Sequence, residues 1–295
     1  MPDAGQPDRR APPPLQETYA VFLDIDGTLL DLAPAPDAVK VDPSLAQLLP
    51  KVRRSLGGAL ALITGRAITD VDRLFPGLKM PVAGQHGCER RDALGGLHLH
   101  APATETLARL RALFIDFART QEGLLLEDKG STLAVHFRKA PHLAAHVHKT
   151  LYETVAKHGT RAYRLQPGKM LLELRPDDRD KGKAIADFMA EKPFKGRCPV
   201  FIGDDVTDEH GFKLINAIGG WSVKVGRSAT SARYRLPDVA AVRAWLGALV
   251  AQPAQPAQPG QPAQPAQPAQ PAQSTQPAQP GPPSQPPAPT AGSSP

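Results

Sequence analysis

The sequence predicts an α/β protein: a parallel sheet covered by helices on both faces, with a smaller α+β module inserted into it. Three observations carry that prediction. Short, continuously apolar runs before Asp24 and at residues 59–63 and 199–202 read as strands buried on both faces, and residues 221–225 as a further strand. Segments of helical periodicity alternate with them, the pattern of a parallel sheet. Between about Thr104 and Arg175 the rhythm changes to helix, hairpin, helix, hairpin, which fits an open-faced α+β insert.

The first strand runs into Phe22-Leu23-Asp24-Ile25-Asp26-Gly27-Thr28-Leu29, where an apolar run meets two carboxylates one residue apart, then a glycine and a hydroxyl. Asp42-Pro43 caps a helix with apolar positions at Leu45, Leu48, Leu49, Val52 and Leu56, and Gly57-Gly58 ends it. Residues 59–63 form the second strand and close in Thr64-Gly65-Arg66; Ile68, Val71, Leu74 and Phe75 mark the next helix.

In the insert, Leu107, Leu110, Leu113, Phe114 and Phe117 predict a helix, and residues 124–127 and 132–138 a hairpin around Asp128-Lys129-Gly130. Leu143, Val147, Leu151 and Val155 predict a second helix, followed by a hairpin of residues 163–165 and 170–174 turning at Gln166-Pro167-Gly168-Lys169. Alternation sets Leu133, Val135 and Phe137 opposite Ala134, His136 and Arg138, and Met170, Leu172 and Leu174 opposite Leu171, Glu173 and Arg175. One face of each hairpin packs; the polar face is either solvated or turned to a ligand.

After Pro176 the parallel pattern resumes. Lys181-Gly182-Lys183 opens a helix carrying Ala184, Ile185, Phe188 and Met189. The strand at 199–202 ends at Gly203-Asp204-Asp205, with Thr207, Asp208 and Glu209 beyond it, and after the strand at 221–225 a closing helix carries Val242, Trp245, Leu246 and Leu249.

The ends differ in composition. Residues 1–17, rich in proline, charge and small side chains and without a secretory apolar stretch, read as a disordered leader. From Ala251 to Pro295 the chain repeats Ala-Gln-Pro almost without interruption, which predicts a disordered, extended tail, either an inert linker or a ligand for a proline-reading domain. The expected organisation is therefore a core of residues 18–101 and 176–250, a cap of residues 102–175, and a tail of residues 251–295.

Composition narrows the functional classes. No stretch reaches bilayer length, and Cys88 and Cys198 lack disulfide or zinc spacing, so a soluble protein of the reducing cytoplasm is expected. The net charge of +6 suits an anionic substrate, while the lack of a basic run or aromatic-studded ribbon argues against nucleic acid. His142 and His146 lie one helical turn apart, near His148, but a solvated polar face explains that spacing, and His98 and His100 are no better as metal ligands.

Asp24 and Asp26, Thr64, and Asp204, Asp205 and Asp208 all follow strand ends, and Lys181 opens a helix. In an open parallel sheet the carboxyl ends of the strands share one edge, where ligands bind, so these groups should converge. Several acids meeting one lysine and one hydroxyl are costly unless a cation joins them, and oxygen-only ligands favour magnesium.

The Asp-x-Asp-Gly-Thr at 24–28, Thr64, Lys181 and the Gly-Asp-Asp at 203–205 resemble, in that order, the four motifs of the haloacid dehalogenase-like phosphatases. Leu-Ile-Thr-Gly-Arg at 62–66, Gly-Gln-His-Gly at 84–87, Glu-Asp-Lys at 127–129 with His-Phe-Arg at 136–138, and Ile-Gly-Asp-Asp-Val-Thr-Asp-Glu at 202–209 are more narrowly similar to the trehalose-6-phosphate phosphatases, over about Tyr19 to Val250. The resemblance implies a Rossmann-like parallel core with an inserted α+β cap, and a Mg²⁺-dependent enzyme. In it Asp24 attacks phosphorus to give an aspartyl phosphate, and Asp26 protonates the leaving sugar oxygen and then activates water. Mg²⁺ is held by Asp24, the Asp26 carbonyl and Asp204, with Asp205 and Asp208 orienting its waters, while Thr64 and Lys181 hold phosphoryl oxygens.

Gly27 and Thr28 are expected to offer backbone amides to the same anion. His86, Glu127, Lys129, His136, Arg138, Lys169 and Glu173 are expected to hydrogen-bond a disaccharide, with Arg66 and Arg90 either contributing or merely packing. Trehalose 6-phosphate is the implied substrate, and neither nucleic acid nor a membrane is expected as a partner. A phosphatase for sucrose phosphate or mannosylglycerate phosphate, and a silent phosphosugar-binding scaffold, are the alternatives. The cap is expected to rock over the sheet edge and exclude water.

Overall fold

The central strands are buried along their whole length, so each needs cover on both faces. The computed structural model describes residues 10–32, 39–100, 104–159, 161–168 and 170–251. The first part of the chain forms β1 (Tyr19–Leu23), α1 (Pro43–Ser55), β2 (Leu60–Ile63), α2 (Ile68–Leu74), β3 (Val82–Gly84), β4 (Glu89–Arg91) and β5 (Leu97–Leu99). The insert follows as α3 (Thr104–Arg119), β6 (Leu125–Asp128), β7 (Leu133–His136), α4 (Ala144–His158), β8 (Tyr163–Gly168) and β9 (Leu171–Pro176). The chain then returns through α5 (Lys181–Met189), β10 (Cys198–Gly203), α6 (Glu209–Ala217), β11 (Trp221–Val225), β12 (Tyr234–Leu236) and α7 (Val239–Ala251).

The main sheet has the order β12-β11-β10-β1-β2-β3-β4-β5. Its strands from β12 to β3 are parallel, and β4 and β5 extend it as an antiparallel edge. Alternation divides each strand's side chains between two cores. Val21, Leu23, Leu60, Leu62, Val200 and Ile202 pack on one side with Leu45, Leu49 and Val52 of α1 and Val242, Leu246 and Leu249 of α7. Ala20, Phe22, Ala61, Ile63 and Phe201 pack on the other with Ile185 and Phe188 of α5 and Phe212 and Ile215 of α6. Helix α1 starts as its sequence predicts: Asp42 accepts from Ser44 N at 2.8 Å, and Pro43 occupies the first turn.

The insert has its own antiparallel sheet, ordered β6-β7-β9-β8, and a third apolar core. Leu107, Leu110 and Phe114 of α3 and Val147 and Leu151 of α4 cover Leu133, Val135, Leu172 and Leu174 on one face. The opposite face is not solvated: Glu173 and Arg175 are buried there. The two chain crossings meet where His100 Nε2 lies 2.6 Å from Asp178 Oδ2.

Four details differ from the sequence reading. Strands β3, β4 and β12 and helix α6 are additional; the strands are three residues each, too short to show a period. The second hairpin is tighter than expected because β8 continues through Gln166 and Pro167 to Gly168. Strand β7 stops at His136, which leaves Arg138 exposed beyond its end.

The fourth concerns the leader. Residues 10–17 are not a disordered segment. Leu15 is 2% exposed in the main core, Trp245 Nε1 donates to Pro13 O at 3.0 Å and Arg197 Nη1 to Glu17 O at 2.8 Å. One apolar anchor and captured carbonyls order a stretch whose composition alone reads as disorder. Residues 1–9 and the Ala-Gln-Pro tail from 252 onward lie outside the described residues. Among the described residues no helix is long and apolar enough to cross a membrane.

Leu15→Ala should cost about 2–4 kcal/mol in urea unfolding, the loss expected for a packed leucine. A change below about 0.5 kcal/mol would mean that this segment is not part of the core.

Candidate active site

Strands β1 and β10 are parallel neighbours, with Leu23 opposite Ile202, so the residues that follow them leave the sheet at one edge. Asp24 follows β1 and is 4% exposed. Lys181, the first residue of α5 and 3% exposed, donates to Asp24 Oδ1 at 2.7 Å and to Asp208 Oδ1 at 2.6 Å. Thr28 Oγ1 donates to Asp24 Oδ2 at 3.2 Å. Thr64, buried at the end of β2, accepts the Arg66 N–H at 3.1 Å, which leaves its hydroxyl hydrogen for another acceptor.

One ammonium faces three carboxylates here, because ligand oxygens of Asp24, Asp204 and Asp208 lie within 4.8 Å of one another. Burial holds the Asp24 carboxyl well above the usual carboxylate range; Lys181 opposes the shift, and Asp208 and Asp204 add to it. Burial and the charge of Asp208 push Asp204 up to about 6. Burial alone would lower Lys181, but Asp208 and Asp24 outweigh it and raise its pKa. The cluster therefore carries a negative excess that a cation would offset.

The residues present fit a hard divalent ion. Asp204 Oδ1 is buried with no hydrogen-bond partner. Gly27, at φ +79°, leaves the room: a Cβ there would lie 2.1 Å from Asp204 Oδ2. The donors are all oxygen, the set that suits Mg²⁺. Asp205 stands apart, its side chain capping the turn of residues 206–208 and accepting from Thr207 Oγ1 at 3.2 Å.

Above this floor opens a cavity of about 330 Å³ lined by residues of both sheets, among them Asp26, Arg66, His86, Glu127 and Glu173. Arg66 grips Asp26 with two hydrogen bonds, Nε to Oδ2 and Nη2 to Oδ1, each 2.6 Å. On the insert's side, His136 Nε2 lies 2.9 Å from Glu127 Oε2 and Lys129 Nζ donates to Glu173 Oε1 at 3.3 Å. The bond to His136 lowers the Glu127 pKa. Burial opposes ionisation of Glu173, yet the imidazole of His86 and the ammonium of Lys129 bring it down to about 2. His86 itself is held below its ordinary value by burial, with Glu173 opposing. At 3.6 Å the His86–Glu173 pair is longer than a hydrogen bond, so Lys129 is the closer partner.

Gln85 joins the two sheets. Its Nε2 donates to Lys129 O at 2.7 Å, and its Oε1 accepts from Thr132 Oγ1 at 3.4 Å. Gln85 and His86 both adopt left-handed backbone, with φ of 47° and 56°. Consecutive non-glycine residues in that region are uncommon and mark a place where the surrounding contacts dictate the chain path.

A family model described as Trehalose-phosphatase matches residues 22–240. The chain belongs to the trehalose-phosphatase family. It is accordingly an enzyme of the phosphoric monoester hydrolase class. A probable trehalose-phosphate phosphatase of Sinorhizobium fredii (strain NBRC 101917 / NGR234) is 43% identical over 235 residues, covering 79% of this chain and 88% of the relative. The trehalose-6-phosphate phosphatase of Escherichia coli (strain K12) is 42% identical over 241 residues, covering 79% and 87%. The fold is shared with the C-terminal domain of a C. albicans trehalose-6-phosphate phosphatase, at a TM-score of 0.69 and 19% identity over 80% of this chain and 92% of that one.

In this trehalose-phosphatase family member, Asp24, Lys181, Asp204 and Asp208 meet at the floor, Thr64 follows the neighbouring strand β2, and Asp26, Arg66, His86, Glu127, Lys129, His136, Arg138, Glu173 and Asp205 line the cavity. Lys169 lies outside the described residues. One expectation needs correction. Gly27 and Thr28 do not offer free amides, since Gly27 N donates to Leu30 O and Thr28 N to Ile25 O within the turn. Gly27 acts instead by the side chain it lacks. Arg90 packs, with Nη1 2.5 Å from Glu191 Oε1 and its guanidinium 5.0 Å from the Phe188 ring.

The sequence reading passed over Gln85 and Lys224. Gln85 sits inside the Gly-Gln-His-Gly stretch beside His86, and Lys224 is the one charge in the strand at 221–225.

Gly27→Ala should lose about 1–3 kcal/mol of stability from left-handed strain and crowding of Asp204. An unchanged melting temperature would contradict that crowding. Glu173 ionises more readily folded, near 2, than at its ordinary 4.5, so its contribution, present above 4.5, disappears as pH falls toward 2. Wild type should therefore lose more stability than Glu173→Gln between pH 5 and pH 2, by on the order of 3 kcal/mol. Parallel acid-unfolding curves would refute it.

Proposed function

We propose that this chain hydrolyses trehalose 6-phosphate to trehalose and phosphate through an aspartyl phosphate on Asp24, with Mg²⁺ as cofactor, in the cytoplasm. The observation that carries the reading is the buried Asp24 carboxylate, bonded to Lys181 and grouped with Asp204 and Asp208, beneath a cavity walled by polar groups of the insert.

Asp24 attacks phosphorus as the bond to the sugar oxygen breaks, and that oxygen takes a proton from Asp26. Asp26 then accepts a proton from the water that displaces Asp24 and releases phosphate. Arg66 binds both oxygens of the Asp26 carboxylate, so loosening that grip makes it easier for Asp26 to carry a proton. The substrate's phosphoryl oxygens are the natural competing acceptors for its guanidinium. Thr64 and Lys181 donate to phosphoryl oxygens.

Mg²⁺ would be held by Asp24, the Asp26 carbonyl and Asp204, and supplies positive charge that offsets repulsion between an anionic nucleophile and an anionic phosphate. Asp208 steadies Lys181, and Asp205 faces the cavity from its cap position. Residues 102–175 act as a cap that reads the sugar. Glu127, Lys129, His136, Arg138 and Glu173, with His86 from the core, form hydrogen bonds that an analogue lacking the matching hydroxyl leaves unmade.

Purified protein should release phosphate from trehalose 6-phosphate in a colorimetric assay, lose that activity with EDTA and regain it with Mg²⁺. Asp24→Asn should reduce it at least about a thousandfold. Equal turnover of sucrose phosphate or mannosylglycerate phosphate would remove the substrate assignment, and binding without turnover would favour a scaffold.

A further inference from the structure

A strand buried inside a parallel sheet is expected to be apolar at every position. In β11, Val223 and Val225 meet that expectation. Lys224, on the other face, is 2% exposed, and a buried ammonium is expensive unless its charge and its donors are met. Among the described residues its hydrogen-bond acceptor is the main-chain carbonyl of Asp204. The carboxylates of Asp204 and Glu209 supply opposite charge nearby. An apolar side chain would fill this place in the strand at lower cost, so the lysine answers to something other than sheet formation.

What it holds is one peptide unit. The carbonyl of Asp204 accepts from Lys224, and the N–H of the same unit, that of Asp205, donates to Asp208 Oδ2 at 2.9 Å. Asp208 Oδ1 in turn accepts from Lys181 at 2.6 Å, and Lys181 donates to Asp24 at 2.7 Å. A peptide gripped by a cation at its oxygen and a carboxylate at its hydrogen is polarised so that each bond strengthens the other. Its plane cannot turn without losing both. The Cα–Cβ direction of Asp204 is thereby fixed, with Oδ1 buried and unpartnered and Oδ2 in the space that Gly27 leaves.

We propose that Lys224 is a positioning residue of the cation site: it locks the Asp204–Asp205 peptide so that the Asp204 carboxylate is presented to Mg²⁺, and it places positive charge behind the carboxylate cluster. This rests on the cation-dependent reading given above. Groups that orient ligands from behind in this way typically change metal affinity 10–100-fold when removed.

The test is calorimetric titration of Mg²⁺ into the wild-type chain and into Lys224→Met, which keeps the length of the side chain and loses its donor and charge. Wild type should bind Mg²⁺, and Lys224→Met, with its near-ultraviolet dichroism retained, should bind at least about tenfold more weakly. Hydrolysis lost at low Mg²⁺ should return at high Mg²⁺, while KM for trehalose 6-phosphate at saturating Mg²⁺ stays within about twofold. Lys224→Gln, which keeps a donor without charge, should fall between the two.

Equal Mg²⁺ affinity in folded Lys224→Met would overturn the proposal, as would a KM for the sugar phosphate that rises in step with the Mg²⁺ constant. Failure of both variants to fold would assign Lys224 to the fold and overturn it too. A wild-type chain that binds no Mg²⁺ would instead remove the cation-dependent reading on which the proposal stands.

Discussion

Three carboxylates converge on one buried ammonium, and the architecture at the sheet edge serves that convergence. Asp24 and Asp204 are neighbours because β1 and β10 are neighbours in the sheet, and Lys181 reaches both Asp24 and Asp208 because α5 begins at that edge. Burial first, and the nearby carboxylates after it, make Asp24 and Asp204 resist ionisation. The fold tolerates the arrangement through Lys181, the hydroxyl of Thr28 and a site shaped for a further positive charge.

The upper wall obeys a different rule. Lys129 lies between the carboxylates of Glu127 and Glu173, and the His136 ring bonds to Glu127. Such a wall presents positioned donors and acceptors, whereas the floor gathers three carboxylates about one ammonium, an imbalance that a cation would offset. Gln85 ties the two together, bonding to the carbonyl of Lys129 from the main sheet.

Much of this was legible in the chain. Asp24, Asp26, Thr64 and Asp204 stood out because strand ends are where apolar runs stop, and a parallel sheet brings those ends to one edge; Lys181 stood out at the start of a helix. The alternation of β7 and β9 indicated which residues turn toward the cavity, although burial of Glu173 and Arg175 could not be separated from solvation by period alone. Backbone commitments were not legible: that the Gly27 and Thr28 amides are consumed inside their own turn depends on where Leu30 and Ile25 present their carbonyls. Nor could composition reveal that Leu15 is anchored, because a single apolar residue among prolines carries no periodicity. Lys224 left a signal, the one charge in its strand, whose meaning needed the third dimension.

The apolar interior of the insert shares no side chain with the two interiors that flank the main sheet. Among the described residues the side-chain contacts across the seam include polar ones: Gln85 to Lys129 and Thr132, and His86 to Glu173. Water can replace bonds of that kind at modest expense, whereas it cannot replace the packing on either side. Tolerance to change is therefore partitioned: repacking beneath α3 and α4 shifts the wall that the insert gives the cavity while the anionic floor keeps its own support, so the two can drift independently.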